Sequence, residues 1–430
     1  MTPKRTVIRI PYGTGFESVS VDPERDVRIL SPREEAGAEN PPPEETIIAR
    51  ALENPINSPP LKVLARGKKK VAILTSDHTR PVPSRLTVPP MLAEIREGSP
   101  GADITILIGV GCHRATTREE MRAKFGDEVA SGERILCHDP GDESNLADLG
   151  RLPSGGLLRL NKLAVEADLL VADGFIEPHQ FAGFSGGRKS VLPGVAAFKT
   201  VLASHNAVFT VHPKARPGSL DGNPFQEDMI HAARKARLAF ILNVTLTPGK
   251  RVSRAFAGDF EAAHLKGCES VLAECEVKAA PAPVVITSNG GYPLDQNIYQ
   301  STKSVMAADL TCADGGVIVA VNECRDGHGS EQFLESFKTA SSLPALIKEI
   351  ESRSWEETIP DQWVIQLTAS ILARRRVVMV TKADAGEVEA LGMTKRESLA
   401  EGLELADRMV GSPGSPITVL PNAVAVVISP

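Results

Sequence analysis

Residues 169–194 read LLVADGFIEPHQFAGFSGGRKSVLPG. The first four of them form an apolar run that is typical of a buried strand. The loop after this run carries His179, closely spaced glycines, and the pair Arg188 and Lys189. Glycines let backbone N–H groups approach an anion closely, and a lysine there adds charge or acts as a nucleophile. We therefore interpret this segment as a strand that leads into the floor of an active site.

Strand-like and helix-like segments alternate on both sides of this loop. Short apolar runs are separated by amphipathic stretches such as 88–97 and 117–125. This alternation is typical of α/β proteins, in which helices cover a mainly parallel sheet and ligands bind at the carboxyl ends of the strands. The strands predicted in the first part of the chain are 71–75, 104–109, 134–137, 168–172 and 240–246.

The sequence predicts two domains, because KAAPAP at 278–283 is typical of a linker and a second α/β cycle follows it. We predict an N-terminal domain over 1–277, which carries the glycine loop, a C-terminal domain over 284–411, and an active site in the cleft between them. The segment 415–430 is expected to return to the first domain. The remaining expectations are an opening hairpin of 6–10 with 27–30, strands at 284–288, 316–321 and 377–380, and helices at 298–309, 330–338 and 360–373.

The composition indicates a globular protein without a polyanionic partner. Of the 430 residues, 42% are hydrophobic and 24% are charged, and the net charge of −6 argues against nucleic acid or an anionic membrane. No apolar segment is long enough to span a bilayer, and the N-terminus lacks the apolar core of a signal peptide. The cysteines form no Cys-x-x-Cys pair, so no structural zinc site is predicted. We therefore expect a cytoplasmic protein.

Four polar clusters each follow a predicted strand. The first spans 76–81, the second spans 109–114, the third is the glycine loop, and the fourth spans 289–303. Ligands bind at the carboxyl ends of parallel strands, and four such clusters at strand ends are what a cleft between two domains would require. In the fourth cluster, Gln300 and Lys303 share a face of a predicted helix, a spacing that a solvated face explains equally well.

The other polar residues also have purely structural interpretations. Asp77 and Arg80 are compatible with an ion pair that closes a turn, and a single histidine such as His113 is more often a cap or core residue. His205 lies in a segment, 200–208, that we predict to be helical, where a surface histidine is the usual case. The position of His179 beside the glycine loop favours a functional role.

The glycine loop also invites comparison with the phosphate-binding P-loop, G-x-x-x-x-G-K-[ST]. Counted from Gly183, the sixth position is Arg188 where the motif needs glycine, although Lys189 and Ser190 fit the end of the motif. The match fails at a defining position, so a nucleoside triphosphatase is a weaker hypothesis that stays open.

Taken together, these stretches resemble the nickel-dependent lactate racemase family. The steps of ten residues from His179 to Lys189 and of sixteen residues to His205 are similar to the family's own spacing. The resemblance runs from the opening strand to the end of the chain. The matching stretches are SDHTRPVPS at 76–84, GCHR at 111–114, the block at 177–194, HN at 205–206, and YPLDQNIYQSTK at 292–303.

The resemblance implies a cofactor, the nickel-pincer nucleotide. This is a pyridinium mononucleotide whose thio-acid groups bind nickel through one carbon and two sulfurs. Lys189 resembles the lysine that holds this cofactor covalently, and His205 resembles the protein ligand of the nickel; an imidazole and soft sulfur donors suit that metal. The residues expected to bind the rest of the cofactor, its phosphate included, are Ser185, Gly186, Gly187 and Arg188.

The resemblance also implies an isomerase that inverts C2 of a 2-hydroxy acid. In this scheme hydride leaves C2 for the nickel–pyridinium unit, a flat 2-keto acid forms, and hydride returns to the other face. His113 and His179 resemble the two acid/base histidines, which exchange the hydroxyl proton. The residues that resemble the family's substrate-binding positions are Arg80, Lys303, Asp77, Gln300 and Tyr299.

Two other functions stay open on sequence grounds. One is a phosphate-handling nucleotide enzyme that uses the glycine loop at 183–190, and the other is a non-catalytic protein that binds a nickel or nucleotide cofactor. The expected partners are a small 2-hydroxy acid and the enzymes that build the cofactor, with no nucleic acid and no membrane. Gln300, Lys303 and Tyr299 favour a small substrate such as lactate, while malate, an aromatic hydroxy acid and a sugar acid stay open.

Overall fold

The computed structural model describes residues 6–33, 41–247 and 249–429, which form two α/β units. The first unit comprises residues 41–205 and 212–273, and the second comprises residues 6–33, 206–211 and 274–429. In chain order the strands are β1 (Thr6–Tyr12), β2 (Gly15–Val21), β3 (Val27–Ile29), β4 (Lys70–Ser76), β5 (Asp103–Gly109), β6 (Arg134–Cys137), β7 (Leu146–Arg151), β8 (Leu157–Asn161), β9 (Leu169–Phe175), β10 (Pro178–His179), β11 (Gly183–Phe184), β12 (Leu238–Leu246), β13 (Val252–Gly258), β14 (Glu276–Lys278), β15 (Ala282–Thr287), β16 (Cys312–Val321), β17 (Arg376–Val380), β18 (Thr394–Arg396), β19 (Ile417–Leu420) and β20 (Val427–Ser429).

Helices connect many of these strands, and side chains cap the starts of several of them. Asn223, Asn297 and Ser398 each accept a hydrogen bond from a backbone N–H in the first turn of the helix that follows. These N–H groups have no partner within the helix, so the caps define where the helices begin. In chain order the helices are α1 (Glu44–Glu53), α2 (Leu61–Leu64), α3 (Ser84–Gly98), α4 (Arg118–Phe125), α5 (Asp127–Gly132), α6 (Lys162–Val165), α7 (Phe198–Ser204), α8 (Ala207–Thr210), α9 (Pro224–Lys235), α10 (Ala262–Cys275), α11 (Ile298–Asp309), α12 (Glu331–Thr339), α13 (Leu343–Glu351), α14 (Gln362–Leu372), α15 (Ala385–Ala390) and α16 (Leu399–Val410).

The first unit is built on a six-stranded sheet in the order β13-β12-β9-β4-β5-β6. All neighbouring pairs are parallel except β12 with β13. Every residue of β9 is buried, which explains why the strand begins with four apolar residues in succession. Because β9, β4 and β5 are neighbours, the loops that follow their carboxyl ends share one edge of the sheet. The α/β class and the strands predicted in this part of the chain are confirmed.

The second unit is built on a parallel six-stranded sheet in the order β18-β17-β16-β15-β19-β3. One hydrophobic core joins this sheet to helices α11 to α14. A separate core joins it to α16 and the β1–β2 hairpin. Both faces of the sheet are therefore covered, as expected for parallel strands.

The predicted domain limits differ from the observed units at both ends of the chain. The segment 415–430 does not return to the first unit, because β19 pairs with β15 and β20 pairs with β14. The predicted opening hairpin is also wrong: β1 pairs with β2, while β3 joins the second sheet beside β19. Residues 6–33 therefore belong to the second unit rather than the first.

A short segment after α7 also changes unit. Residues 206–211 group with the second unit, and α8 packs against α14. The helix predicted over 200–208 is broken, because α7 ends at Ser204, α8 begins at Ala207, and His205 lies in the break. The site between two domains that the sequence suggested stays a prediction. In the described ranges no helix has the length and apolarity that a membrane crossing requires.

Candidate active site

Three loops of the first unit meet at the carboxyl edge of its sheet. They follow β4, β5 and β9, the adjacent strands whose ends share this edge. The backbone N–H of Gly111, after β5, donates to the carbonyl of Gly194, at the end of the glycine loop, over 3.1 Å. This bond joins the loop that carries His113 to the loop that carries His179 and Lys189. Three of the four polar segments therefore lie at one edge of this sheet.

His113 is held by the buried carboxylate of Asp77. The ring Nδ1 lies 2.7 Å from Oδ2 of Asp77, whose side chain is 3% exposed, while the His113 side chain is 46% exposed. Burial raises the pKa of Asp77, but hydrogen bonds from His113 and Thr79 outweigh it and lower that pKa to about 2. Asp77 is therefore a carboxylate that accepts from Nδ1–H, which leaves the basic lone pair of neutral His113 on Nε2.

His179 is held in the opposite tautomer. It pairs with Gly183 in the short β10–β11 hairpin, and its Nδ1 accepts a hydrogen bond from the backbone N–H of Ala182 over 3.3 Å. Because a backbone N–H is a donor only, the proton of neutral His179 resides on Nε2. That atom lies 3.4 Å from Nζ of Lys189. One site histidine therefore presents a proton acceptor at Nε2, and the other presents a proton donor.

Lys189 lies on the 3₁₀ turn Gly187–Ser190 and is partly buried. Burial, together with the smaller effects of the positive charges of Arg188 and Arg80, lowers the pKa of its amine to about 7, against the opposing effect of Glu177. A large share of this amine is therefore unprotonated near neutral pH. An unprotonated lysine amine is a nucleophile, so the residue is suited to a covalent attachment.

His205 is buried in the break between α7 and α8. Its Nδ1 donates to the carbonyl of Val201 over 2.8 Å, which places the lone pair of the neutral ring on Nε2. Burial lowers the pKa of this imidazole to about 4, so it is neutral at physiological pH. A neutral ring whose tautomer is fixed by a backbone carbonyl is the form that binds a metal ion.

An aromatic side chain that the sequence did not single out lies between two of these histidines. The ring of Phe181 meets the His179 ring edge to face at 4.7 Å and the His205 ring edge to face at 5.3 Å between centroids. Phe225 packs on both Phe181 and His205. The signal available in the sequence was the position of Phe181, two residues after His179 in the loop already identified.

Arg188 does not point into the site. Its side chain is fully buried, and its guanidinium donates to the carbonyls of Ala182 and Phe184, at 2.8 and 2.9 Å, and to Gln226. The expectation that this side chain cradles a cofactor phosphate is therefore wrong, because its donors are turned inward to hold the loop. Ser185 also serves the loop, since its hydroxyl bonds with the backbone of Phe175 and accepts from the N–H of Glu177.

The glycines of the loop are required by close packing. Gly186 and Gly187 have φ of +76° and +52°, and a Cβ on Gly186 would lie 2.6 Å from Oδ1 of Asn243. Backbone N–H groups of the loop are used internally: that of Gly187 donates to Asn243, and that of Lys189 donates to the carbonyl of Gly186. These donors are not arranged around an anion, so the geometry gives no support to the P-loop interpretation. Asn243 was detectable as a polar residue within the apolar run 238–246.

Arg80 lies at the rim of this cluster. Its side chain is exposed, and its guanidinium donates to the hydroxyl of Thr79 over 3.3 Å. Thr79 also donates to Oδ1 of Asp77, so the guanidinium adjoins the pair formed by Asp77 and His113. An exposed guanidinium in this position is suited to binding an anionic group.

The remaining predicted substrate residues lie in the second unit, on α11. Gln300 and Lys303 are partly buried and one turn apart. Tyr299 is tied into the core: its ring packs edge to face on Phe333, and its hydroxyl donates to Asp361 over 3.0 Å. Substrate binding by these three residues stays a prediction.

The described ranges contain no group of three or more His, Cys, Asp or Glu side chains arranged to hold a metal ion. A cofactor that brings its own metal-binding atoms would need few ligands from the protein. The chemistry of the neighbouring residues fits such a group, because Lys189 offers a nucleophilic amine and His205 a neutral imidazole.

Comparison with known proteins identifies similar proteins over nearly the whole chain. Residues 12–218 match the family model described as the lactate racemase N-terminal domain, and residues 277–428 match that of the lactate racemase C-terminal domain. The lactate racemase of Thermoanaerobacterium thermosaccharolyticum is 50% identical over 98% of this chain and 99% of its own length. The lactate racemase of Lactiplantibacillus plantarum is 42% identical over the same shares of the two chains.

A solved structure shows the same architecture. The structure of the lactate racemase apoprotein from Thermoanaerobacterium thermosaccharolyticum superposes with a TM-score of 0.95 at 49% identity. The superposition covers 99% of this chain and 100% of the chain in that structure. This likeness extends through both units and independently supports the two-unit α/β fold.

Proposed function

Because this chain belongs to the lactate racemase family and is an isomerase, we propose that it interconverts the enantiomers of lactate or of a closely related small 2-hydroxy acid. The observation that carries this proposal is the pair of histidines held in opposite tautomers. His113 presents an acceptor at Nε2 because Asp77 takes its other proton, and His179 presents a donor because Ala182 occupies its Nδ1. Inversion in either direction needs one group that removes the hydroxyl proton and another that returns it.

In the proposed reaction the two imidazoles exchange roles with the direction of turnover. Nε2 of His113 accepts the hydroxyl proton of one enantiomer, and Asp77 stabilises the imidazolium that forms. Nε2–H of His179 supplies a proton to the oxygen as the other enantiomer is formed. In the reverse direction each ring performs the opposite transfer, which imidazole does well near neutral pH.

The hydrogen on C2 is a different problem from the hydroxyl proton. A C–H bond beside a carboxylate is too weakly acidic for an imidazole to remove as a proton, so we propose that it leaves with its electron pair and gives a flat 2-keto acid. When bound, the nickel-pincer nucleotide supplies a reversible acceptor for that hydride. Lys189 would hold this group covalently and His205 would ligate its nickel, which places enzymes that build the cofactor upstream of this protein.

Substrate binding is proposed to depend on cationic side chains. The exposed guanidinium of Arg80 can bind a carboxylate through two hydrogen bonds and lies beside the Asp77–His113 pair. Lys303 and Gln300, one turn apart on α11, are proposed to bind the substrate's oxygens. No observation favours a phosphate-handling enzyme, because the loop N–H groups of Gly187 and Lys189 have internal acceptors.

The proposal is tested with protein produced together with the cofactor-building enzymes. L-lactate and D-lactate are supplied separately, and the opposite enantiomer is measured with stereospecific dehydrogenases. We expect both conversions in the wild type and their loss in His113→Ala and His179→Ala. The proposed function would be overturned if fully loaded protein interconverted no 2-hydroxy acid. Full activity in both variants would also overturn it.

A further inference from the structure

No step of the proposed reaction uses His78, yet its side chain is turned towards the loop that carries His113. The side chain is 16% exposed, and its Nδ1 lies 3.2 Å from the hydroxyl oxygen of Thr116 and 3.6 Å from Oε2 of Glu120. Thr116 and Glu120 both belong to the segment after β5, as His113 does. His78 itself follows β4, directly after Asp77. This imidazole therefore joins the two loops that supply the Asp77–His113 pair.

The position of Glu120 is fixed by its own hydrogen bonds. Its carboxylate accepts from both terminal nitrogens of Arg114, at 2.6 and 2.9 Å, and from the backbone N–H of Thr117 at 2.8 Å. Thr117 and Glu120 also form a capping box at the start of α4. The carboxylate is thereby held against the helix that follows the His113 loop, and it offers His78 a contact point whose place is set independently.

The surroundings of Nδ1 of His78 show which nitrogen of this ring carries the proton. The distance of 3.6 Å to Oε2 of Glu120 is too long for a hydrogen bond, but it keeps a negative charge close to Nδ1. A lone pair on Nδ1 would face that charge. Nδ1–H can instead donate to the hydroxyl of Thr116 and direct its positive end towards the carboxylate. His78 therefore donates to the loop that carries His113.

The pair formed by His113 and Asp77 joins the same two loops in the opposite sense. In that pair the carboxylate follows β4 and the histidine follows β5, with 2.7 Å between Nδ1 and Oδ2. In the other contact the histidine, His78, follows β4 and the carboxylate, Glu120, follows β5. Asp77 and His78 are consecutive, and so are His113 and Arg114, the residue that holds Glu120. A relative shift of the two loops would therefore alter both contacts together.

We propose that His78 is a positioning residue, which fastens its loop to Thr116 and Glu120 and thereby maintains the short contact between Asp77 and His113. Its importance for turnover rests on the proposed function, whereas its effect on the His113 ring does not. A contact between partly exposed groups contributes little to stability, while a small displacement of a catalytic group costs much in rate. Protein that lacks the His78 contact should therefore stay folded but hold His113 less firmly in one tautomer.

The experiment reads the tautomer of His113 by NMR in full-length protein made without the cofactor-building enzymes. Histidine labelled with ¹⁵N is incorporated, and long-range ¹H–¹⁵N spectra in mildly alkaline solution show which ring nitrogen carries the proton. His113→Gln identifies the His113 signals among those of the nine histidines. We expect Nδ1–H in the wild type and a mixture of both tautomers in His78→Leu. His78→Asn, whose amide can still donate to Thr116, should keep the wild-type pattern.

Activity of the same variants, produced with the cofactor-building enzymes, follows the consequence for turnover. In His78→Leu we expect kcat to fall roughly 10²-fold, because the acid/base ring is misplaced, while His78→Asn should retain most of it. Glu120→Gln should lower kcat in the same direction. Glu119→Gln is its matched control, since this exposed carboxylate lies one residue earlier on α4, and it should leave kcat unchanged.

A wild-type tautomer of His113 in His78→Leu would overturn the inference, and so would an equal mixture in His78→Leu and His78→Asn. If His78→Leu does not fold, Thr116→Val decides, because it removes the acceptor from the other loop with little change in shape and should give the same mixture. The NMR measurement needs neither substrate nor cofactor. Loaded wild-type protein without racemase activity would overturn the proposed function but leave the positioning of His113 by His78 intact.

Discussion

Nδ1 of His113 lies 2.7 Å from Oδ2 of Asp77, and the carboxylate is buried while the ring is half-exposed. The buried partner fixes the tautomer, and the exposed edge of the ring is the one that can meet a substrate. The same arrangement, a buried carboxylate that orients an imidazole, occurs in acid/base catalytic sites.

Asp77→Asn should therefore abolish most of the activity while the protein stays folded. An asparagine can present its amide N–H to Nδ1, which favours the wrong tautomer, so we expect kcat to fall roughly 10²-fold or more. Thr79→Val is the matched control, because it removes the hydrogen bond to Oδ1 of Asp77 but keeps the carboxylate. Its kcat should fall much less. Equal losses in the two variants would contradict the assigned role of Asp77.

Phe181→Leu tests the ring packing between His179 and His205. The smaller side chain loses both edge-to-face contacts, so we expect roughly a tenfold loss of kcat and weaker retention of nickel by loaded protein. Phe240→Leu is the control, since Phe240 is buried in the core of the same unit. That variant should be destabilised to a similar extent but keep its nickel. Identical nickel retention in the two variants would count against Phe181.

Gly186→Ala should destabilise the first unit more than a positive φ alone explains. A Cβ there would lie 2.6 Å from Oδ1 of Asn243 and 2.8 Å from the carbonyl oxygen of Phe175. Gly150→Ala provides the comparison, because its φ is +90° but no atom lies within 4 Å of the added Cβ. We expect the free energy of unfolding to fall about 1–3 kcal/mol further in Gly186→Ala. Urea denaturation measures the difference, and equal losses would show that packing is not limiting.

The protein without cofactor should lose stability in mildly acidic solution. The pKa of His205 lies at about 4 in the folded protein against an ordinary value of 6.5, so the unfolded chain binds a proton before the folded one does. As the pH falls from 6.5 towards 4, this histidine binds a proton in the unfolded chain but not in the folded protein, so the free energy of unfolding decreases. Between about pH 7 and about pH 5 this single group should lower the free energy of unfolding by about 2 kcal/mol.

His205→Gln checks that assignment, because glutamine does not titrate. Between about pH 7 and about pH 5, the free energy of unfolding of this variant should fall by about 2 kcal/mol less than that of the wild type. The contribution of the buried His264, whose pKa burial also lowers, is common to both proteins and cancels. An unchanged pH dependence in the variant would show that His205 is not the group responsible.

The sequence was most informative where a buried strand led directly into a polar loop. Residues 134–137 were predicted as a strand and are observed as one, and β4, β5 and β9 were each located by their apolar runs. Because these strands are parallel and adjacent, their order along the sheet was enough to bring His113, His179 and Lys189 to one edge. The local sequence pattern therefore predicted the strands and the loops that carry the main residues of the candidate site.

Pairing between distant segments was not predictable in the same way. β3 has three residues and lies at the edge of the second sheet, so its sequence carries no strong pattern of burial. The choice of β19 as its partner depends on the packing of the whole sheet. The same limit applies to 206–211, where a run that reads as one helix is interrupted at His205 and groups with the other unit.

The direction of a long side chain was also beyond the sequence. Arg188 beside Lys189 in a glycine-rich loop suggests an anion-binding pair, yet only the inward carbonyls of residues 182–186 show that the guanidinium holds the loop. The loop's glycines were recognised, but the close approach of Asn243 to Gly186 and of His264 to Gly187 was not visible in the sequence. Those neighbours come from β12 and α10, far away in the chain.

The fate of the hydrogen on C2 of the substrate tests the proposed mechanism most directly. Fully loaded protein is given L-lactate that carries deuterium at C2, in ordinary water, and the D-lactate formed early in the reaction is examined by mass spectrometry. If the two histidines handle only the hydroxyl proton, the product should retain its deuterium. Early D-lactate that has exchanged its deuterium for solvent hydrogen would show that C2 is inverted by proton removal, and would contradict the roles assigned to His113 and His179.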